Sequence, residues 1–218
     1  CVWRFGSAYT LMVFLISVLL GLAMGSGTVF SLHYGAGNHV ALRRSIFSSF
    51  VLIGIVTLIL NVAVFIWLDP ILRLLQVPQD IYGMMRSYSW IIFCGIVFTF
   101  IYNFYASLLR AVGDSVTPLW FLAVSVVLNI ALDLFFILQL DWGIQGAAAA
   151  TVLAQGVAAL GIIIYTYRRR PELRWHHEDM CFDRTCLKEI ASFSTLTCVQ
   201  QSVMNLGILM IQGLVNKI

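Results

Sequence analysis

The sequence predicts an all-α, polytopic transmembrane helix bundle, and three observations predict it. Of its 218 residues 61% are hydrophobic and 11% charged, against roughly 45–50% and about 25% in soluble domains. The charges gather in short segments that leave six long apolar gaps. Stretches such as 51–65 and 119–132 are apolar on nearly every side, whereas a barrel strand alternates over about 10 residues. A globule this size could not hide so much apolar surface. These features exclude a soluble enzyme, a disordered chain and a β-barrel. Five cysteines, an odd count, argue against a disulfide framework. The net charge of +3 comes from a few loops and is not a nucleic-acid signature, so no nucleic-acid partner is expected.

A helix crossing a hydrocarbon core of about 30 Å needs about 20 apolar residues. The first span is placed at 7–32, ahead of a helix end and turn at His33-Tyr34-Gly35-Ala36-Gly37-Asn38-His39. It is too long for a signal-peptide core and lacks a basic leader. The second span is 45–68. Asp69-Pro70…Pro78-Gln79-Asp80 reads as a connecting loop whose apolar stretch 71–77 lies along the membrane interface. The third span is 87–109, and Arg110-Ala111-Val112-Gly113-Asp114-Ser115 is a tight turn into the fourth, 118–140, with Pro118 in its first turn, where a missing N–H costs nothing. The fifth, 143–167, is stopped by Pro171. Residues 168–189 form a charged segment that reads equally as a linker between lobes or as an ordinary loop, and 190–218 is the sixth span. Opening on Cys1 and stopping at Asn216-Lys217-Ile218 inside an apolar run, the chain reads as an internal piece of a longer protein.

Arg43, Arg44, Arg110, Arg168, Arg169, Arg170, Arg174, Arg184 and Lys188 fall on one side of this topology, against Arg4, Arg73 and Arg86 on the other. The positive-inside rule makes the richer side cytoplasmic and the protein a multi-pass component of the cell (inner or plasma) membrane. Gly21-x3-Gly25 and the run 147–150, continued by Thr151, Ala154 and Ala158, are small-residue faces that let helices approach closely. They serve static packing or sliding equally well.

Asp133 is the one carboxylate within a span. A central Asp costs about 2.5–3.5 kcal/mol on insertion scales, so it should face the bundle interior with partners. Asn129, four residues earlier, shares its helix face. Counting from the helix ends at 1.5 Å per residue puts Asp133 roughly 10 Å deep, near Thr151 at roughly 12 Å, and Asn129 near Gln155, at roughly 16 and 18 Å. A carboxylate held away from water can exchange a proton near neutral pH, and Asp133, Asn129 and Thr151 together offer oxygen ligands for Na⁺. The plainer alternative is a protonated Asp133 hydrogen-bonded within the bundle for packing alone. Asn103 is a further intramembrane amide, either helix glue or cavity lining, and Tyr88, near the outer end of its helix, reads as an interface-belt aromatic ahead of a ligand group. His176-His177…Cys181…Cys186 matches no standard zinc spacing, so no metal site and no cofactor are expected beyond the coupling ion. No catalytic motif is present, in line with a protein that is not an enzyme.

Four stretches together resemble the multidrug and toxin extrusion (MATE) family of secondary antiporters. They are Tyr34-Gly35-Ala36-Gly37…Ala41-Leu42-Arg43-Arg44, Leu109-Arg110-Ala111-Val112-Gly113-Asp114-Ser115…Thr117-Pro118, Leu128-Asn129-Ile130-Ala131-Leu132-Asp133 and Gly143-Ile144-Gln145-Gly146-Ala147-Ala148…Ala150-Thr151…Gln155. The resemblance implies twelve helices in two lobes, of which 1–167 hold helices two to six, 168–189 the inter-lobe linker and 190–218 the first helix of the second lobe. It further implies export of amphipathic cationic drugs in exchange for H⁺ or Na⁺ by a protein that is monomeric at full length and surrounded by lipid. Asp133, Asn129 and Thr151 match the cation cluster. Tyr88 and Asn103, with Gln155, match the cavity lining. The missing first helix contributes an acidic partner in that family. A related flippase for lipid-linked oligosaccharides or peptidoglycan precursors shares much of the topology, but the spans hold no Lys or Arg before Lys217 to meet a pyrophosphate.

Overall fold

The computed structural model describes residues 20–74, 79–173 and 184–215. It is all helix there, with no strand among the described residues. The first helix, α1, is described over residues 20–35. It is followed by α2 (His39–Leu74), α3 (Gln79–Ala111), α4 (Val116–Leu138), α5 (Gly143–Arg169), a short 3₁₀ turn (Pro171–Leu173) and α6 (Arg184–Val215). Four segments are long and apolar enough to cross a membrane: His39–Leu68, Arg86–Ala111, Val116–Leu138 and Gly143–Arg169. The first half of the expected span 7–32 lies outside the described residues, its second half is α1, and 190–218 is carried by α6 as far as Val215.

Local chemistry sets the helix ends. Gly37 adopts φ 68°, closing the turn after α1, and the Asn38 side chain accepts the Ala41 N–H at 3.1 Å, capping α2. At the far end of α2 the structure corrects the sequence reading. The helix runs through Pro70 to Leu74, and α3 begins at Gln79, so 71–74 continue a helix rather than forming a loop. Proline removes one backbone donor and kinks a helix. Inside or beside a bilayer, however, abandoning the remaining backbone bonds costs more than tolerating the kink. The 36 residues of α2 thus extend roughly 54 Å, well beyond the hydrocarbon core. Residues 75–78, which complete the expected loop, lie outside the described residues.

The chain divides into two compact units, 1–53 with 175–218, and 54–174. In the first, Val29, Phe30, Leu42, Ile46 and Ile190 form a fully buried core. The small-residue face of α1 finds its partner on α6. A Cβ on Gly21 would sit 2.6 Å from Cys198 Sγ, and one on Gly25 would sit 2.5 Å from Ser194 Cα. These glycines are what permits the two backbones to touch.

In the second unit α5 is the central helix, buried along Gly146, Ala148, Ala150, Ala154, Gly156, Ala158, Ala159 and Ile162. Small residues admit large ones in both directions: Val152 of α5 sits against Gly95 of α3, and Phe121 of α4 against Gly161 of α5. Asn61 of α2 donates to the Phe93 carbonyl of α3 at 2.7 Å, a buried amide partnered across helices. The outer face of α4 is apolar and exposed, with Leu119, Trp120, Val127 and Leu138 each more than 60% accessible. Such a surface is suited to lipid or to packing against further protein rather than to water.

Candidate functional site: a polar cavity among three helices

Between α3, α4 and α5 lies a cavity of about 310 Å³. Its walls repeat at helical spacing: Thr99, Tyr102 and Asn103 on α3, Leu122, Ser125, Val126 and Asn129 on α4, and Thr151, Ala154, Gln155 and Ala158 on α5. Positions i, i+3, i+4 and i+7 share one face, so each helix turns a half-polar stripe inward. Alanines on α5 leave the room, and among the described residues no Lys, Arg, Asp or Glu lines the cavity.

The polar groups are hydrogen-bonded across the helices. Asn129 Nδ2 donates to Thr151 Oγ1 at 3.3 Å, and Thr151 Oγ1 donates to the Ala147 carbonyl at 3.0 Å. Thr99 Oγ1 donates to Gln155 Oε1, and Asn103 Nδ2 donates to the Thr99 carbonyl at 2.8 Å. The Tyr102 hydroxyl donates to the Pro118 carbonyl at 2.8 Å, tying α3 to the first turn of α4.

Asn129, Thr151, Asn103 and Gln155 therefore meet in one cavity. Asp133 stands one turn further along α4, half-buried, and its Oδ1 is buried without a hydrogen-bond partner among the described residues. Tyr88 lies 11 residues before Thr99 on α3, roughly 16 Å away along the axis, and is not part of this cavity wall. The depth count changes by about half a turn. It level-matches Asp133 with Thr151, whereas the structure joins Asn129 to Thr151 and Gln155 to Thr99. The cause is the end of α4 at Leu138 rather than residue 140. Measured from there, Asn129 is roughly 13.5 Å deep and Thr151 roughly 12 Å.

Sequence reasoning missed Thr99, Tyr102 and Ser125. Threonine, tyrosine and serine are common in membrane helices, and only the shared face with Asn103 or Asn129 could have flagged them. Of the His/Cys array, His176, His177 and Cys181 lie outside the described residues. Cys186 is a buried free thiol accepting a long 3.5 Å contact from Ser45 Oγ. Among the described residues no three potential ligand side chains gather around a metal position.

At the other end of α4, Asp114 ties the turn together. Its carboxylate accepts the Thr117 N–H at 3.1 Å, the Thr117 hydroxyl at 2.9 Å and the Tyr165 hydroxyl of α5 at 3.2 Å. Burial pushes its pKa up, but the bonds from Thr117 and Tyr165 and the charge of Arg170 outweigh this and hold it below the usual 3.8. A depressed carboxylate stabilises the fold above its unfolded pKa and loses that contribution as pH falls through the folded value. Asp114→Asn is therefore expected to lower the melting temperature at pH 7 and to narrow its gap from the parent below pH 4, as thermal unfolding in detergent would measure. Loss of an N-terminal cap of this kind costs about 1 kcal/mol.

The comparisons agree with this architecture. The MatE family profile matches residues 5–135. The probable multidrug resistance protein YpnP of Bacillus subtilis is 36% identical over 161 residues, covering 74% of this chain and 36% of that protein. YoeA of the same organism, also a probable multidrug resistance protein, is 32% identical over 173 residues, covering 78% and 37%. The chain thus spans under half the length of these curated relatives. The inward-facing structure of a multidrug resistance MATE family transporter superimposes with a TM-score of 0.82 at 22% identity, over 91% of this chain and 45% of that one. The helical bundle, its lipid-exposed apolar faces and these matches describe a multi-pass membrane protein of a family of transporters, not enzymes. The chain belongs to the MatE family.

Proposed function

We propose that the protein is a secondary active transporter that exports amphipathic organic cations in exchange for H⁺ or Na⁺ by alternating access. Its 218 residues would supply most of the first lobe of a twelve-helix, two-lobe protein, with 168–189 as linker. Asp133, Asn129 and Thr151 would hold the coupling ion, and Asn103 and Gln155, with Tyr88 nearer the outer end of α3, would line the substrate cavity. The observation that carries this reading is a buried, unpartnered Asp133 oxygen one helical turn from a cavity of neutral hydrogen-bonding groups. An unpaired carboxylate inside a membrane bundle is costly unless a proton or cation meets it. Exchange needs only that ion and drug favour different conformations.

The flippase reading is less well supported, because a pyrophosphate would require positive charge and no Lys or Arg among the described residues lines the cavity. Dye efflux from vesicles energised separately by H⁺ and Na⁺ gradients tests the proposal. Efflux under at least one gradient is expected, and efflux indifferent to both would overturn it.

A further inference from the structure

A second cavity, of about 460 Å³, opens at the end of α5 remote from Arg168–Arg170, lined by Ile91, Asp141, Trp142, Gln145 and Ala149. The indole of Trp142 is stacked on Phe136, centroids 5.3 Å apart and planes at 27°, and its backbone N–H is held by the Phe136 carbonyl at 3.1 Å. The ring is thereby fixed and still 53% exposed. Asp141 sits beside it with φ 56°, a left-handed conformation that aspartate tolerates better than most residues. Its carboxylate is exposed, caps no α5 N–H, and makes no ion pair or hydrogen bond among the described residues. No Lys or Arg occurs between Asp133 and Arg168 in the sequence to neutralise it. Gln145 and Ala149, four residues apart on one face of α5, line the same cavity as Asp141; the first supplies an amide oxygen, the second leaves space.

We infer that this cavity binds an organic ammonium group, with the Asp141 carboxylate supplying the counter-charge, the fixed Trp142 ring a cation–π face and Gln145 Oε1 an acceptor. An anion would meet the carboxylate, and a bare Ca²⁺ would find too few oxygen ligands for the 6–8 it prefers. The ammonium can belong to a soluble cation or to the choline or ethanolamine headgroup of a neighbouring lipid. The inference does not depend on the export reading, because occupancy can be read without transport.

The test uses the whole protein with 5-fluorotryptophan, in phosphatidylglycerol nanodiscs, the residue-142 ¹⁹F resonance being assigned by its loss in Trp142→Phe. Choline chloride is expected to shift that resonance saturably, where sodium chloride at equal concentration does not. Asp141→Asn, which keeps the left-handed turn accessible, should weaken the apparent affinity about fivefold, the scale of one exposed charge contact. In phosphatidylcholine nanodiscs a resonance already shifted, and no longer moved by choline, identifies the lipid as the occupant; one that still titrates identifies a soluble cation. A 142 resonance that is the same in both lipids and unmoved by choline overturns the site. So does an Asp141→Asn protein that titrates like the parent, or an equal response to sodium chloride. If the site binds choline but vesicles show no gradient-driven efflux, the export reading fails alone.

Discussion

Asp133→Asn is expected to abolish ion-driven efflux while leaving the protein folded. Asparagine nearly matches aspartate in shape, so packing around α4 is preserved, but it neither ionises nor exchanges a proton. If the Asp133 carboxylate is where the ion distinguishes one conformation from the other, that distinction disappears with its charge. Moving a two-state equilibrium from 1:99 to 99:1 requires about 10⁴-fold differential binding, about 5.5 kcal/mol. A neutral amide retains only a small part of that, so gradient-driven dye efflux should fall by at least about 100-fold, with equilibrium dye binding changed by no more than a few-fold. Thr151→Val should act more mildly, because it removes the bond that Asn129 donates and the one given to the Ala147 carbonyl but leaves the Asp133 carboxylate in place. Vesicles with matched protein content measure both effects. Ion-coupled efflux that survives Asp133→Asn removes this residue from the coupling site.

Gly25→Ala is expected to destabilise the first unit severely. The added carbon would lie 2.5 Å from Ser194 Cα and 2.7 Å from Ser194 N. Backbone cannot rotate aside as a side chain does, so α1 and α6 must separate along their seam. Overpacking in a tight core costs about 1–3 kcal/mol, and a backbone clash stands at the upper end of that range. The obstacle predicts its own genetics. Ser194→Gly should fail to rescue Gly25→Ala, because the clashing atoms remain. Gly95→Ala, whose new carbon meets Val152 Cγ2 at 2.5 Å, should be rescued by Val152→Ala. Gly35→Ala, with nothing within 4 Å, should be neutral. Thermal unfolding with size-exclusion profiles reads the series, and equal rescue of both pairs would contradict the backbone contact.

Several features were legible without coordinates because they are one-dimensional. Charge scarcity and the length of the apolar gaps fix a helical membrane bundle, since a bilayer admits few other structures. Glycine and alanine at four-residue spacing announce close packing. Asp133 and Asn129 are conspicuous because charged and amide groups are expensive in lipid. The shared face of Thr151 and Gln155 also follows from spacing alone.

The remainder depends on distance between helices, which no single helix encodes. The sequence shows that Gly21 and Gly25 want a neighbour, but only packing selects Ser194 and Cys198 of α6, far along the chain. It shows polar residues at similar depths, but a two-residue difference in where α4 ends transfers Thr151 from Asp133 to Asn129. Pro70 carries a local stop signal that the membrane setting overrides. Thr99, Tyr102 and Ser125 become part of a site only when three helix faces meet. Composition and period thus determined the solvent and the elements, because each residue reports its own transfer energy. Tertiary structure decided the partners, because contact depends on register and rotation, which small shifts at helix ends control.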